Sequence, residues 1–431
     1  MRRTAVLRAG VVGCVVVALA ACGSSAKTAA PAPPTGPSGG GSAKVLLATV
    51  GTPGALPAAD VLSAAGRGEQ AFALALYGQL ATQPGNLAIA PSSIATVLGM
   101  VAAGAKGATQ QQLLDALRVP LPAPQLHAAV GGLVRALAAR TGDGVTLSEV
   151  DQAWVQRNLR LLDDFAGILT HDYAAPIARI DFADPERAAA TINGWIAQKT
   201  HGKIPKLIAP EVLDQAMLVL TDAVYMDAQW ENAFDPKLTT DAPFHLAGGT
   251  SVAVPTMHQE AMLEYGNGPG WTAVALPYKG DKLEMDVIVP DDLAQFEHGF
   301  DASTLEAVLA TLRPAEVAID LPKFEFRTHF DNLSGALAKL GVRNAFDPSK
   351  ADFSGMTSDA QLYLSAVVHQ TFVHVDEKGT VAAGATGGVM KITAAEIVRP
   401  VHVDKPFLFT VRDRTTGAIV FLGRVADPRA T

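Results

Sequence analysis

Apolar residues from Asp60 to Leu80 recur at helical spacing, with Ala71, Leu74, Leu76 and Tyr77 on one stripe, which predicts an amphipathic helix. Ile94 to Ala102 and Thr109 to Leu117 predict two more, the second opening on the polar run Gln110 to Gln112. Asp164 to Tyr173 and Pro185 to Thr200 continue the helical period, whereas Val150 to Val155 reads as a strand. Met217 to Tyr225 is almost unbroken in its apolarity, as expected of a strand buried on both faces. Beyond Thr250, turns at 266–270, Gly280-Asp281 and Asp291-Asp292 separate short strands, with helices at Ala302 to Leu312 and Asn332 to Leu340. Helices early, strands late and no internal repeat predict a single α+β domain.

Two stretches fit neither period. The first is the N-terminus, where Arg2, Arg3 and Arg8 precede an apolar run from Ala9 to Ala21. That run falls short of the roughly 20 residues a bilayer requires, so residues 1–21 read as an export signal peptide. Leu19-Ala20-Ala21-Cys22 resembles a bacterial lipobox, which implies removal of the leader, acylation of Cys22 (palmitate among the acyl groups) and anchoring to the outer face of the cell membrane. An ordinary signal peptide, with secretion, is the alternative. Gly23 to Ala58 is rich in Ser, Ala, Pro, Thr and Gly, so residues 22–58 read as a lipid-anchored disordered linker of ~30–35 Å mean reach, and 59–431 as the domain. Gly36-Pro37-Ser38-Gly39-Gly40 and Ser24-Ser25-Ala26-Lys27 mimic hydrolase motifs, but neither joins a strand to a helix.

Cysteine usage adds a constraint. Cys14 and Cys22 are the only two, so the mature chain forms no disulfide and rests on its core, for which 49% hydrophobic residues among 431 suffice. Losing the three leader arginines takes the net charge from −8 to −11, a balance that disfavours nucleic acid. Lys106 and Arg118 stand nearly alone, so no basic run suits a heparin-like cofactor. The ten histidines show no ligand spacing and no phosphate loop is present, so neither metal nor cofactor is expected.

The second unusual stretch is 377–388, rich in glycine and alanine, which predicts an exposed mobile loop. If it were extended, Thr380, Ala382, Gly384, Thr386, Gly388, Met390 and Ile392 would share one uncharged face fit for burial in a sheet. This stretch resembles the hinge and reactive-centre loop of the serpins, the serine protease inhibitor superfamily. Further motifs carry the resemblance in order: 86–94 with 104–109, 220–226 with Trp230 and 234–236, Leu276-Pro277-Tyr278, Leu321-Pro322-Lys323-Phe324, Leu340-Gly341, 351–356 and 403–409. It extends from about Ala59 to Pro428.

The resemblance implies a serpin fold, with helices around a large central sheet, and a monomeric protease inhibitor that is not an enzyme. It implies suicide inhibition, in which a serine or cysteine protease cuts the loop and is trapped as the loop inserts. The alternative is a non-inhibitory serpin-fold binding protein. Hinge roles fall on Glu377, Gly379, Thr380, Ala382 and Ala383, and family spacing puts the reactive bond at Thr393-Ala394, which suits an elastase- or subtilisin-like target. Cleavage after Lys391 would suit a trypsin-like one. A buried latch is implied at Asn86, Ser93, Asp222 and His369, with Trp230 at the sheet. Asp222 and Asp151 stand where the family usually has asparagine, and Ala90 where it mostly has serine. As neighbours, His369 and Asp222 would favour each other's charged forms, raising the histidine pKa and lowering that of the aspartate.

Overall fold

The computed structural model describes residues 11–21, 46–48, 51–379 and 398–430. In chain order the strands are β1 (Val11–Ala21), β2 (Leu46–Ala48), β3 (Leu87–Ile89), β4 (Val145–Gln156), β5 (Ile177–Ile180), β6 (Ala216–Ala228), β7 (Thr240–His245) and β8 (Ser251–Gly268). There follow β9 (Trp271–Pro277), β10 (Leu283–Pro290), β11 (Arg313–Pro322), β12 (Phe324–Phe330), β13 (Leu362–Val375), β14 (Arg399–His402), β15 (Phe407–Asp413) and β16 (Ile419–Val425). The helices that matter most below are α1 (Ala59–Leu80), α2 (Pro91–Gly104), α3 (Gly107–Leu117), α4 (Ala123–Ala138), α5 (Asp163–His171) and α6 (Pro185–Lys199).

A seven-stranded sheet runs β12-β13-β1-β6-β4-β5-β2, and a second runs β14-β11-β8-β9-β10-β15-β16-β3 with β7 beside β8. Every residue of α2 is buried, because the helix lies under the large sheet against β1 and β6 and also touches β16. Its Pro91 sits in the first turn, where a missing N–H costs nothing. The predicted helices and the strand over Met217–Tyr225 appear within a few residues of their expected ends. Helix α4, rich in alanine and glycine, is an addition.

The N-terminal run departs further from expectation. Val11–Ala21, the apolar segment that reads as a leader, is an interior strand of the large sheet, between β13 and β6. Residues 46–48 and 51–58, assigned by composition to the tether, touch the body. Leu46–Ala48 pairs with β5, and the Gly54 N–H donates to the His171 carbonyl at 2.9 Å, an approach close enough that a Cβ at Gly54 would meet the His171 ring at 2.5 Å.

Candidate functional site

The site begins with strand direction. β1 is antiparallel to β13 on one side and to β6 on the other, so β6 and β13 run parallel to each other across a gap one strand wide. Parallel neighbours far apart in sequence cannot be zipped by a hairpin. The chain leaving β13 can therefore re-enter this gap only antiparallel to both walls, the course that β1 already takes. Val15, Val17 and Leu19 point into the core on the α2 side, while Cys14, Val16 and Ala18 join a cluster on the opposite face; all six are buried. Alternation in a strand buried on both faces accounts for the unbroken apolar run.

Beneath the gap lie the polar residues of the expected latch. Ser93, in the first turn of α2, donates its hydroxyl to Asp222 on β6. His369 on β13 accepts the Ala90 N–H at Nε2 (3.1 Å) and places Nδ1 2.9 Å from the Cys14 carbonyl. Both contacts fit one neutral tautomer, Nδ1 protonated and Nε2 an acceptor. Val15 is the register partner of Asp222 on one side and of His369 on the other, so a strand separates the two. Burial then decides both titrations. It lowers the His369 pKa to about 4, opposed by the Cys14 carbonyl and helped by His329. Burial likewise pushes Asp222 well up, reinforced by Glu149 and Asp151. The pairing expected of Asp222 and His369, with its opposite shifts, is thus corrected. Ser93, His369 and Asp222 are fully buried and form no Ser–His–Asp relay.

Asn86 and Trp230 lie elsewhere. The Asn86 side chain accepts from the Ala426 and Asp427 N–H groups at 2.7 and 3.0 Å and donates to the Asp427 and Ala430 carbonyls, so it staples the C-terminus rather than the gap. Its latch role is corrected accordingly. Trp230 stacks on Tyr278 at 4.5 Å and 9° and donates Nε1–H to the Asp376 carbonyl at 3.1 Å. It thus stands at the base of the expected loop.

That base is firmly held. The Phe234 and Trp230 N–H groups donate to the Glu377 and Lys378 carbonyls. The Glu377 carboxylate receives Lys323 Nζ at 2.7 Å and Thr239 Oγ1 at 2.8 Å; burial opposes its ionisation, but these donors prevail and hold its pKa below the usual carboxylate value. Gly379 has φ 82° and bridges to Gln229, and a Cβ there would meet the Trp230 nitrogen at 2.3 Å, so only glycine fits. Thr380, Ala382, Ala383, Lys391, Thr393 and Ala394 lie outside the described residues, as does Cys22. Sequence reasoning missed Thr239 and Lys323 in this anchor, although Lys323 lay inside a family motif. Among the described residues no group of three or more His, Cys, Asp or Glu is placed to hold a metal.

The model for "Serpin (serine protease inhibitor)" matches residues 67–428, spanning both walls of the gap and the loop base. The chain is a serpin. It is 32% identical over 363 residues to a serpin-like protein of Methanosarcina acetivorans, covering 83% of this chain and 85% of that one. It is 34% identical over 357 residues to the leukocyte elastase inhibitor of Bos taurus, covering 80% and 93%. Among solved structures it is similar to a thermophilic serpin, tengpin, in the native state (TM-score 0.73, 25% identity, 89% and 97% covered). It is also similar to thyroxine-binding globulin in complex with thyroxine (TM-score 0.72, 25% identity, 84% and 99% covered). Serpin family members are protease inhibitors, not catalytic enzymes, and this membership supports protease inhibition in general.

Proposed function

We propose that this serpin is a suicide inhibitor of serine, and secondarily cysteine, proteases. The observation that carries the reading is the one-strand gap between parallel β6 and β13, whose only accessible direction is that of a chain returning from the end of β13. The attacking serine oxygen bonds to the Thr393 carbonyl carbon, the bond to the Ala394 nitrogen breaks, and the new amine leaves with a proton from the protease's histidine. The acyl ester remains. Insertion of the cut loop then drags the protease away before water hydrolyses that ester. From Gly379 to Thr393 the travel is about 46 Å at ~3.3 Å per residue.

The elastase-inhibitor relatives and the Thr393-Ala394 bond favour an elastase- or subtilisin-like target; cleavage after Lys391 would leave about 40 Å and favour a trypsin-like one. Neither membrane anchoring through Cys22 nor a monomeric state enters this mechanism; both are part of the same proposal. The thyroxine-binding neighbour favours a second reading, a non-inhibitory binding protein, against which the small uncharged Thr380, Ala382 and Ala383 argue.

The test incubates the exported protein, isolated from bacteria expressing the whole chain, with elastase, subtilisin and trypsin. A complex that survives denaturing electrophoresis is the expected result. Thr380→Arg must bury a charge on insertion, so cleavage should persist while the complex vanishes. An undiminished yield of complex from Thr380→Arg would refute insertion.

A further inference from the structure

We propose that β1 is a built-in plug: residues 11–21 occupy the strand position that the cut loop must take, so the chain that still carries them is held in a form unable to trap a protease. The inhibitory consequence rests on the function proposed above; the occupancy does not.

Occupancy stands on geometry. Ten residues of β1 are in register with β13 and ten with β6, the two sets overlapping over Val12–Ala20. Eleven extended residues span about 36 Å, most of the path an inserting loop would travel. Side chains and backbone of the walls also engage β1. Cys14 Sγ donates to the Asp222 carbonyl at 2.8 Å, Ser365 Oγ to the Ala18 carbonyl at 3.0 Å, and the Ala21 N–H to the Gln215 carbonyl at 3.3 Å. The His369 ring, described above as neutral, completes the set at the Cys14 carbonyl. Two strands cannot share these wall hydrogen bonds, so loop and plug exclude one another.

The same run carries the marks of an export leader, and the two readings are alternative fates of one segment: a chain that folds with its leader attached is plugged, and a chain that loses the leader before folding is not. While β1 is in the sheet its apolar faces are hidden from any export machinery, so only a chain whose leader is taken up before the sheet closes on it loses residues 1–21 and leaves that strand position to the loop. Removal of the leader thereby becomes the arming step, confining inhibition to chains that have been processed.

Cysteine supplies the reporter. With Cys22→Ser, Cys14 is the single thiol, and in the plugged chain it is fully buried. The full-length Cys22→Ser chain is treated with a maleimide, native and in denaturant. Plugging predicts native labelling slower by on the order of 100-fold or more, since reaction requires the sheet to open. Equal rates would overturn the proposal. The same chain, unprocessed, is then mixed with the protease that the exported form traps, beside a Val15→Asp/Val17→Asp version whose charges cannot enter the core. The expected result is little stable complex from the first and a several-fold greater yield from the second. Protected Cys14 together with full trapping by the unprocessed chain would also overturn the plug. If no form of the protein traps any protease while Cys14 stays protected, the suicide-inhibitor reading fails and the strand occupancy is upheld. Should the double variant not fold, the thiol rates and the unprocessed-against-exported comparison still decide.

Discussion

Both sheets bury carboxylates, and burial raises one glutamate in each, Glu284 and Glu149, to about 7; what differs is the partners they are given. In the second sheet Glu284 and Asp286 of β10 face cations: Arg412 Nε stands 3.1 Å from Asp286, its guanidinium also reaches Glu284, and Arg414 Nε lies 3.2 Å from Glu284. Thr410 adds a hydrogen bond to Asp286 at 2.6 Å. In the large sheet Asp151 on β4 is the register partner of Asp222 on β6, with Glu149 two residues away; Asp222 takes the Ser93 hydroxyl and Glu149 that of Thr96, and the acids also hydrogen-bond one another. No cation is paired with this trio among the described residues. Burial pushes Glu149 up to about 7 and Asp151 well above its ordinary value, the latter reinforced by Glu149. A sheet pinned by ion pairs is rigid scaffold. A sheet whose buried acids meet hydroxyls in place of cations is held less tightly, in the region that the proposed insertion has to open.

Breaking the scaffold should cost most. Asp286→Ala leaves Arg412 buried with half its partners and should lose about 3–5 kcal/mol in urea unfolding; a loss under 1 kcal/mol would erase the contrast. Next comes pH. Because the folded pKa of Glu149 is raised, its contribution is fully present below ~4.5 and is lost as pH rises through about 7. His369 acts the other way, its contribution being present above ~6.5 and lost as pH falls through about 4. Subtracting the Glu149→Gln profile from that of the wild type should isolate a decline of up to about 3 kcal/mol across pH 4.5 to 7, and parallel profiles would show Glu149 already compensated. Gly379→Ala, at its positive φ, should cost about 1–3 kcal/mol locally, seen as faster amide exchange at Trp230 and Phe234 with β10 unaffected. The smallest effect belongs to Asp222→Asn. An amide replaces a carboxyl that is already neutral, so stability at pH 7 should change by less than about 1 kcal/mol.

How much of this was legible depends on how local each signal is. The helical stripe of Asp60–Leu80 and the apolar run at Met217–Tyr225 carry their own period, and both appeared. Helix α4 blurs its period with Ala128, Ala129, Gly131 and Gly132. Val11–Ala21 is a different case: a short β-branched apolar run reads equally as a leader or a strand buried on both faces, and only partners some 200 and 350 residues away, at Asp222 and His369, distinguish them. Because sequence alone could not insert Val15 between Asp222 and His369, it paired them and reversed the sign of both shifts. Asn86 was misplaced for the same reason, its partners lying at the far C-terminus.

The Asn86 staple also sets a clock. Its bonds to Asp427 join residues 341 positions apart, and β3 pairs with β16 over a similar separation. At ~5–20 residues per second of synthesis, the segment that feeds α2 waits roughly 17–70 s for its last partner to be made. Throughout that interval α2, a helix buried at every residue in the finished fold, lacks its contact with β16. The nascent chain therefore persists as an unfinished intermediate until β16 and Asp427 have been made.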